Sequence, residues 1–295
     1  MQYLQQNTTL QGGKYKIERV LEQGGFGKVL IVSLFVMFPV LSVAQASGGQ
    51  IRRSPQQTTT QQRTSKPIKN RKLAKNEALL KDGKTIVKFE TTKAVDLGLP
   101  SGTIWAGWNI DANSPTEIGG FYAWGETKTR DYYWWEDYFD TKSFLVGDNY
   151  NRFELEFIEF GGKNQKRSII GTNRDVARVK WGEPWKMPSK IQLEELLNSC
   201  SIHIVTIPNF KDTEFSLFTG PNGKSILVPI AGEFRRNKYI KPQNSGHLFY
   251  SGELQIEEYN KEGLYAITLS WAYEYGFRVG GHTYRIEGLN VRAVY

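Results

Sequence analysis

The sequence predicts an α+β domain over about residues 93–295, because two helix patterns are followed by a series of short strand patterns. The first helix is expected over about Thr172–Val179. The second is expected to begin at Ser189, which forms a capping-box pattern with Gln192 and is followed by leucines on one helical face. Short β-like segments then alternate with turns rich in Gly, Pro and Asn, and they cover residues 225–230, 263–271 and 289–295.

Positive charge is concentrated outside this predicted domain. The chain has a formal net charge of +8, with 38 Lys and Arg against 30 Asp and Glu. Residues 47–93 carry 12 basic and 3 acidic residues, whereas residues 94–295 carry 22 basic and 25 acidic residues. A nucleic-acid-binding domain usually carries a basic patch on the fold itself, so we expect no nucleic-acid partner.

Residues 12–29 resemble the opening β-hairpin of a protein kinase, where a glycine-rich loop covers the ATP phosphates. Gly25, Gly27 and Val29 fit that pattern, whereas Glu22 stands where the family has its first loop glycine. The lysine, catalytic-loop and metal-binding motifs that phosphoryl transfer needs do not follow in the sequence. We therefore interpret residues 1–28 as a kinase-like N-terminal remnant without a kinase domain.

An apolar segment at residues 29–46 follows Lys28 and ends in the motif Ala44-Gln45-Ala46. A positive flank, a short apolar run and a small-x-small site are typical of a secretory signal peptide. An uncleaved single-span membrane anchor is the alternative, although the run is short for a spanning helix. The protein is therefore expected in the periplasm, on the outer surface or secreted. It is expected to contact the membrane only through residues 29–46, if these stay attached.

Residues 47–92 are expected to form a flexible basic linker between this segment and the domain. Gln, Thr, Ser, Lys and Arg dominate its first half, and apolar residues are rare there. Such a segment buries too little surface to offset the entropy lost on ordering. Within the linker, Gly83–Glu90 has the pattern of a short strand that leads into the domain.

Five sequence blocks carry a family resemblance that covers about residues 93–295. They are VDLGLPSGTIWAGWNI (95–110), GGFYAWGET (119–127), WGEPWKMPSKIQLEELLNSC (181–200), FTGPNGKSILVPIAG (218–232) and LNVRAVY (289–295). In order and spacing they resemble the Fibrobacter succinogenes major paralogous domain family, which is common in Bacteroidetes. The resemblance implies a C-type-lectin-like fold with short, mainly antiparallel strands, in an exported protein. The tryptophans in these blocks are expected to anchor the core; they are Trp105, Trp108, Trp124, Trp181 and Trp185.

The segment DYYWWEDYF at residues 131–139 contains a dense group of aromatic side chains. Because side chains alternate in direction along an extended chain, some of these rings should be exposed. An exposed aromatic patch often marks a binding surface. Tyr132, Tyr133, Trp134 and Trp135 are therefore candidate ligand-binding residues, for example through stacking on a carbohydrate. The alternatives are a dimer contact and a loop that folds over the core.

Three arginines lie on short strand patterns near the end of the chain, namely Arg278, Arg285 and Arg292. Arg278 and Arg285 are candidate ligand-binding residues, because arginines in a pocket bind anionic groups. Ordinary charge at a sheet edge is the alternative interpretation.

Motifs for catalysis or metal binding are not apparent in the sequence. His203, His247 and His282 show no metal-binding spacing. The resemblance implies a fold related to that of the formylglycine-generating enzymes, which use paired cysteines. Cys200 is the one cysteine of this chain. We expect no catalytic residues, no metal and no cofactor. The sequence thus predicts a non-catalytic cell-envelope or surface module that binds a glycan or a protein. The alternatives are a structural or assembly protein of the envelope and a variable receptor-like protein of lectin fold.

Overall fold

The structure is a computed structural model, in which the chain forms two compact units, residues 1–64 and 65–295. It describes residues 72–135, 138–146, 152–160, 166–243, 245–255 and 263–295, and the backbone of three strands before residue 35. These strands are β1 (Thr9–Leu10), β2 (Tyr15–Val20) and β3 (Leu30–Leu34), and they form an antiparallel sheet in the order β1-β2-β3. The predicted glycine-rich loop, the signal segment after residue 34 and the linker up to residue 71 lie outside the described residues.

The described part of the second unit contains two helices and a series of antiparallel strands, which confirms the α+β class. The helices are α1 (Val176–Trp181) and α2 (Lys190–Ser199). The strands are β4 (Glu77–Leu80), β5 (Ile86–Lys88), β6 (Ala94–Asp96), β7 (Ile104–Ala106), β8 (Thr141–Val146), β9 (Arg152–Phe157), β10 (Ser201–Thr206), β11 (Phe215–Thr219), β12 (Ser225–Pro229), β13 (Glu233–Arg235), β14 (Lys238–Ile240), β15 (Ser245–Gln255), β16 (Tyr265–Ala272) and β17 (Gly276–Tyr284). The pairs β6–β7, β8–β9 and β13–β14 form separate two-stranded sheets.

A five-stranded sheet in the order β12-β11-β10-β4-β5 includes residues that the sequence assigns to the linker. Val205 and Thr206 of β10 pair with Leu80 and Leu79 of β4. Apolar side chains on both sides of the β4–β5 turn, such as Ala78 and Phe89, are buried against this sheet. The folded unit therefore begins well before residue 93. Strand β5 lies within the strand pattern predicted at Gly83–Glu90, whereas β4 was not predicted, because residues 47–92 as a whole are basic and polar.

The main core lies where helix α2 meets the five-stranded sheet and the three-stranded sheet β15-β16-β17. Leu193 and Leu196 of α2 are fully buried, together with Phe218 of β11 and Phe249 of β15. The ring of Trp105 lies 5.9 Å from that of Phe249. Among the tryptophans expected in the core, Trp105, Trp124 and Trp185 are buried, whereas Trp108 and Trp181 are half-buried.

The two helices begin at different kinds of cap. Helix α2 begins as predicted, because the Ser189 hydroxyl accepts from the Gln192 amide and the Gln192 side chain accepts from the Ser189 amide. Helix α1 begins four residues after the expected Thr172. Its N-cap is Asp175, whose carboxylate accepts from the amides of Ala177 and Arg178. A carboxylate that satisfies these free amides fixes the start of the helix here.

The last seven residues do not form the regular strand that the sequence predicts. They cross the unit in extended form and make isolated bridges, Leu289 with Tyr122 and Val294 with Trp105 and Lys186. Arg292 is fully buried and donates to the carbonyls of Ala106 and Leu227. The C-terminus therefore ties several segments together instead of extending one sheet. None of the helices within the described ranges has the length and apolar character needed to cross a membrane.

Candidate functional site

The aromatic segment after residue 130 alternates between buried and exposed rings. Tyr133 and Trp135 are 2% and 6% exposed, whereas Tyr132 is 45% exposed and Trp134 is half-buried. The amide of Tyr133 donates to the carbonyl of Arg236 over 2.9 Å, and its hydroxyl donates to the carbonyl of Phe121 over 2.7 Å. The buried rings thus fix the segment against the β13–β14 hairpin, while every second ring faces outward.

This segment and the β13–β14 hairpin form the walls of a cavity of about 580 Å³, which we call the aromatic pocket. Its apolar part consists of Tyr133, Trp134, Trp135, Ile240, Leu264, Tyr284 and Ile286. Its polar part consists of Arg235, Arg236, Asn237, Lys238 and Glu287. Apolar walls with a few polar groups at the rim are typical of a small-ligand site.

The β13–β14 hairpin is shaped by two residues with left-handed backbone conformation. Gly232 just before β13 has φ 80°, and a Cβ atom there would lie 2.2 Å from the carbonyl oxygen of Ile240. Arg236 in the turn has φ 54°, a conformation that costs a non-glycine residue roughly 1–2 kcal/mol. In this position the Arg236 guanidinium lies 4.2 Å from the ring centroid of Trp134. Strain of this kind is often retained at ligand sites.

A second cavity of about 830 Å³, which we call the charged groove, also lies against the hairpin. It shares Arg235 and Ile240 with the aromatic pocket. Its lining includes the nearly buried ring of Trp271 and the exposed side chain of Arg278. The cavities are therefore neighbours, with the hairpin as their common wall.

Two buried carboxyl groups meet at this common wall. Glu233 and Glu287 have side chains that are 7% and 9% exposed, and both contact Arg235, at 2.6 Å and 3.2 Å. Burial, and then the neighbouring Glu233, raise the pKa of Glu287 to about 8, and burial also raises the pKa of Glu233. The Oε2 atoms of Glu233 and Glu287 are buried and have no hydrogen-bond partner among the described residues, and the raised pKa of Glu287 favours its protonated form near neutral pH. The pair then carries about one negative charge, which Arg235 neutralises.

His247 extends this polar cluster along the floor of the charged groove. Its Nε2 atom lies 3.9 Å from Glu233 Oε2 and 2.6 Å from the hydroxyl of Thr283. Its Nδ1 atom lies 3.1 Å from the hydroxyl of Thr268. Neighbouring strands of the β15-β16-β17 sheet thus hold the imidazole in place beside the acid pair. This arrangement was not foreseen, because the three segments involved are distant in the sequence.

The structure brings together some of the predicted site residues and separates others. Tyr133, Trp134 and Trp135 line the aromatic pocket, Arg278 lines the charged groove, and Tyr132 is exposed on the same segment. Arg285 lines neither cavity. Its side chain is fully buried, pairs with Asp140 at 2.8 Å and donates to the carbonyl of Phe160. We correct its predicted role accordingly: Arg285 joins two segments inside the core, where a ligand does not reach it.

The sequence prediction missed the β13–β14 hairpin, which contributes most of the polar groups of the aromatic pocket and also Glu233 and Arg235 of the charged groove. The run Arg235-Arg236-Asn237-Lys238 lies between two short strand patterns and could have been recognised as a basic hairpin turn. Such a charge run is more often a solvated turn, so its sequence alone does not indicate a site.

Reactive or metal-binding clusters are not part of this site. Across the described ranges, no three side chains from His, Cys, Asp or Glu lie close enough together to hold a metal ion. The Cys200 thiol lies at the C-terminal end of α2, where burial raises its pKa to about 11. A thiol with a raised pKa is a weak nucleophile at neutral pH.

Comparisons of the chain with protein-family models, with curated proteins and with solved structures gave no match, so the case for function depends on the geometry of the two cavities.

Proposed function

We propose that residues 72–295 form a non-catalytic, exported binding module of C-type-lectin-like fold that holds a sugar ring in the aromatic pocket. The observation that carries this proposal is the half-exposed ring of Trp134. The Arg236 guanidinium packs against this ring, and Asn237 and Lys238 line the same pocket. An aromatic face packs on the C–H face of a sugar, while charged and amide groups at the rim bind its hydroxyls.

The size and polarity of the pocket support a ligand of a few sugar residues. Its volume of about 580 Å³ lies within the usual range for small-molecule sites. Asn237 and Lys238 present exposed polar side chains at one rim, and Tyr284 is 42% exposed at another. Export is proposed from the signal-like residues 29–46, and it would place the module where extracellular glycans occur.

A calorimetric titration of the full-length protein with a panel of neutral and acidic oligosaccharides tests this function. We expect Trp134→Ala to weaken binding about tenfold or more, which corresponds to a lost stacking contact of about 1.4 kcal/mol. Tyr273→Ala is the matched control, since Tyr273 is 71% exposed and lines neither cavity. A glycan that binds both variants as tightly as the natural protein would place the site elsewhere.

One observation favours a second candidate function, a structural or assembly role in the cell envelope. Tyr273 and Tyr275 lie in the turn between β16 and β17 and are 71% and 72% exposed. Exposed tyrosines are common at protein interfaces. If the panel gives no binding and the protein self-associates in a manner that Tyr273→Ala abolishes, the assembly role replaces the glycan-binding role.

A further inference from the structure

We infer that the ligand is an acidic oligosaccharide, whose anionic group lies in the charged groove while a neighbouring sugar occupies the aromatic pocket. This inference rests on the proposed glycan-binding function and specifies its ligand class. It starts from the proximity of the two cavities, which share Arg235 and Ile240 in their linings. An oligosaccharide that extends from the aromatic pocket across this shared wall would contact both.

The charged groove has an excess of cations over carboxylates. Lys190, Lys241 and Arg278 line it in addition to Arg235, and Glu233 is the carboxylate in the described part of its lining. Arg235 already neutralises the acid pair of Glu233 and Glu287. The remaining three cations thus face the groove without compensation from its own lining.

Arg278 is the cation best placed to bind an anion. Its side chain is exposed, and among the described residues no carboxylate lies within ion-pair distance of it. Its guanidinium lies 5.8 Å from the ring centroid of Tyr275, which leaves its donors available. A guanidinium forms paired hydrogen bonds with a carboxylate or a sulfate, so an anionic substituent of either kind fits here.

The two lysines have weak competing partners. Lys241 lies 3.4 Å from Asp212, whose side chain is 93% exposed. Lys190 lies 3.7 Å from Glu194 on the surface of α2. Exposed ion pairs of this kind contribute little, so both ammonium groups remain able to attract a ligand.

The positive charge of the groove is local. Residues 72–295 carry 28 basic and 28 acidic residues, so the folded module has no formal net charge. A positive cavity in a domain without net charge concentrates anions locally and would not attract them over the whole surface. The arrangement therefore favours a ligand with one or a few negative charges over a long polyanion.

The test compares an oligogalacturonate with the neutral galactose oligosaccharide of the same length, both titrated into the full-length protein. We expect the acidic sugar to bind about tenfold more tightly at about 50 mM salt, and this preference to shrink at about 500 mM salt. Arg278→Gln combined with Lys241→Gln should abolish the preference, with a much smaller loss of affinity for the neutral sugar than for the acidic one. Lys224→Gln, an exposed lysine that lines neither cavity, is the matched control.

The outcomes separate the inference from the function on which it rests. Equal binding of acidic and neutral sugars, with loss of both in Trp134→Ala, overturns the acidic ligand class and retains glycan binding. Absence of binding to these two sugars and to every other member of the oligosaccharide panel overturns both proposals. A sulfated oligosaccharide whose affinity depends on Arg278 as that of the oligogalacturonate does supports the inference. It also shows that a sulfate group can take the place of the carboxylate. A duplex DNA fragment that binds equally well through Arg278 overturns recognition of a sugar.

Discussion

Glu233 and Glu287 reach one buried position from two segments of the chain, and Arg235 contacts both carboxyl groups. Two buried carboxylates beside the same arginine would repel each other, so the folded state retains a proton that the unfolded state loses near neutral pH. The protonation of the site is therefore coupled to folding. Arg235 and the proton on Glu287 together make the wall between the two cavities nearly neutral.

This coupling predicts a pH-dependent stability that Glu287→Gln should remove. Burial and the nearby Glu233 raise the pKa of Glu287 from 4.5 to about 8 in the folded protein. Below pH 4.5 the Glu287 carboxyl group is protonated in both the folded and the unfolded state, so its ionisation does not reduce the stability of the folded protein. As the pH rises towards 8 only the unfolded state ionises, and stability falls. The neutral glutamine avoids this loss, so the variant should exceed the natural protein by about 1–2 kcal/mol at pH 9 and by little at pH 5.

Urea unfolding at several pH values measures this difference. Glu214→Gln is the control, because Glu214 is exposed and lies in neither cavity. It should leave the pH dependence as it is. A Glu287→Gln variant whose stability declines with pH as steeply as that of the natural protein would show that the acid pair is not protonated in the folded state.

Arg285 shows why single residues of the site were difficult to predict from sequence. Its partner Asp140 is 145 residues away in the chain, and nothing near either residue indicates the pairing. In sequence, Arg278 and Arg285 look alike, as arginines in strand patterns. The fold exposes the first in a groove and buries the second in an ion pair, because only their long-range neighbours differ.

At the scale of elements, local signals were the most predictable. The capping box of Ser189 and Gln192 involves residues three apart, so the start of helix α2 follows from the sequence. The start of helix α1 does not follow from the local sequence, because its N-cap Asp175 also accepts hydrogen bonds from the amides of Gly171 and Met187. Met187 comes from beyond the helix, and its contact depends on how the chain folds back.

Ser189→Ala should destabilise the folded unit through the loss of this cap. The serine hydroxyl satisfies the otherwise free amide of Gln192, and removing such a cap costs about 1 kcal/mol. For a unit of this size the midpoint of thermal unfolding should fall by about 2–4 °C. Differential scanning calorimetry measures the shift.

Two further variants test whether the cap itself is responsible. Ser189→Asp keeps a side-chain acceptor at the N-cap and should restore most of the lost stability. Ile191→Ala in the first turn should have little effect, since Ile191 is 75% exposed. If Ser189→Ala unfolded at the same temperature as the natural protein, the packing of α2 would be sufficient to fix the start of this helix without the cap.

At the scale of the whole molecule, the class of the fold could be predicted from the sequence, whereas the extent of the domain could not. The α+β class follows from periodic patterns within single elements. The order β12-β11-β10-β4-β5 depends instead on a pairing between residues 79–80 and 205–206. A short hairpin in a polar, basic stretch is easily assigned to a linker on composition. The same limitation applies to the two cavities, whose walls come from segments that only the fold brings together.

This pairing predicts that residues 65–295 fold as a unit and that residues 93–295 do not fold equally well. Loss of β4 and β5 removes the partner of Val205 and Thr206, and it uncovers Phe215 and Leu217 by removing Ala78 and Phe89. Burying one large apolar side chain contributes about 1.5–3 kcal/mol, and an uncovered strand edge promotes aggregation. The shorter fragment should therefore be less stable by several kcal/mol and should aggregate at concentrations where the longer one is monomeric.

Urea unfolding and light scattering of the two fragments measure both effects. A third fragment, residues 72–295, is the control, because it retains β4 and β5 and should match residues 65–295. If residues 93–295 unfolded at the same urea concentration as the longer fragments, the β4–β10 pairing would add nothing to stability. If residues 93–295 were less stable than both longer fragments, the hairpin at residues 77–88 would be an integral part of the domain that contains both cavities.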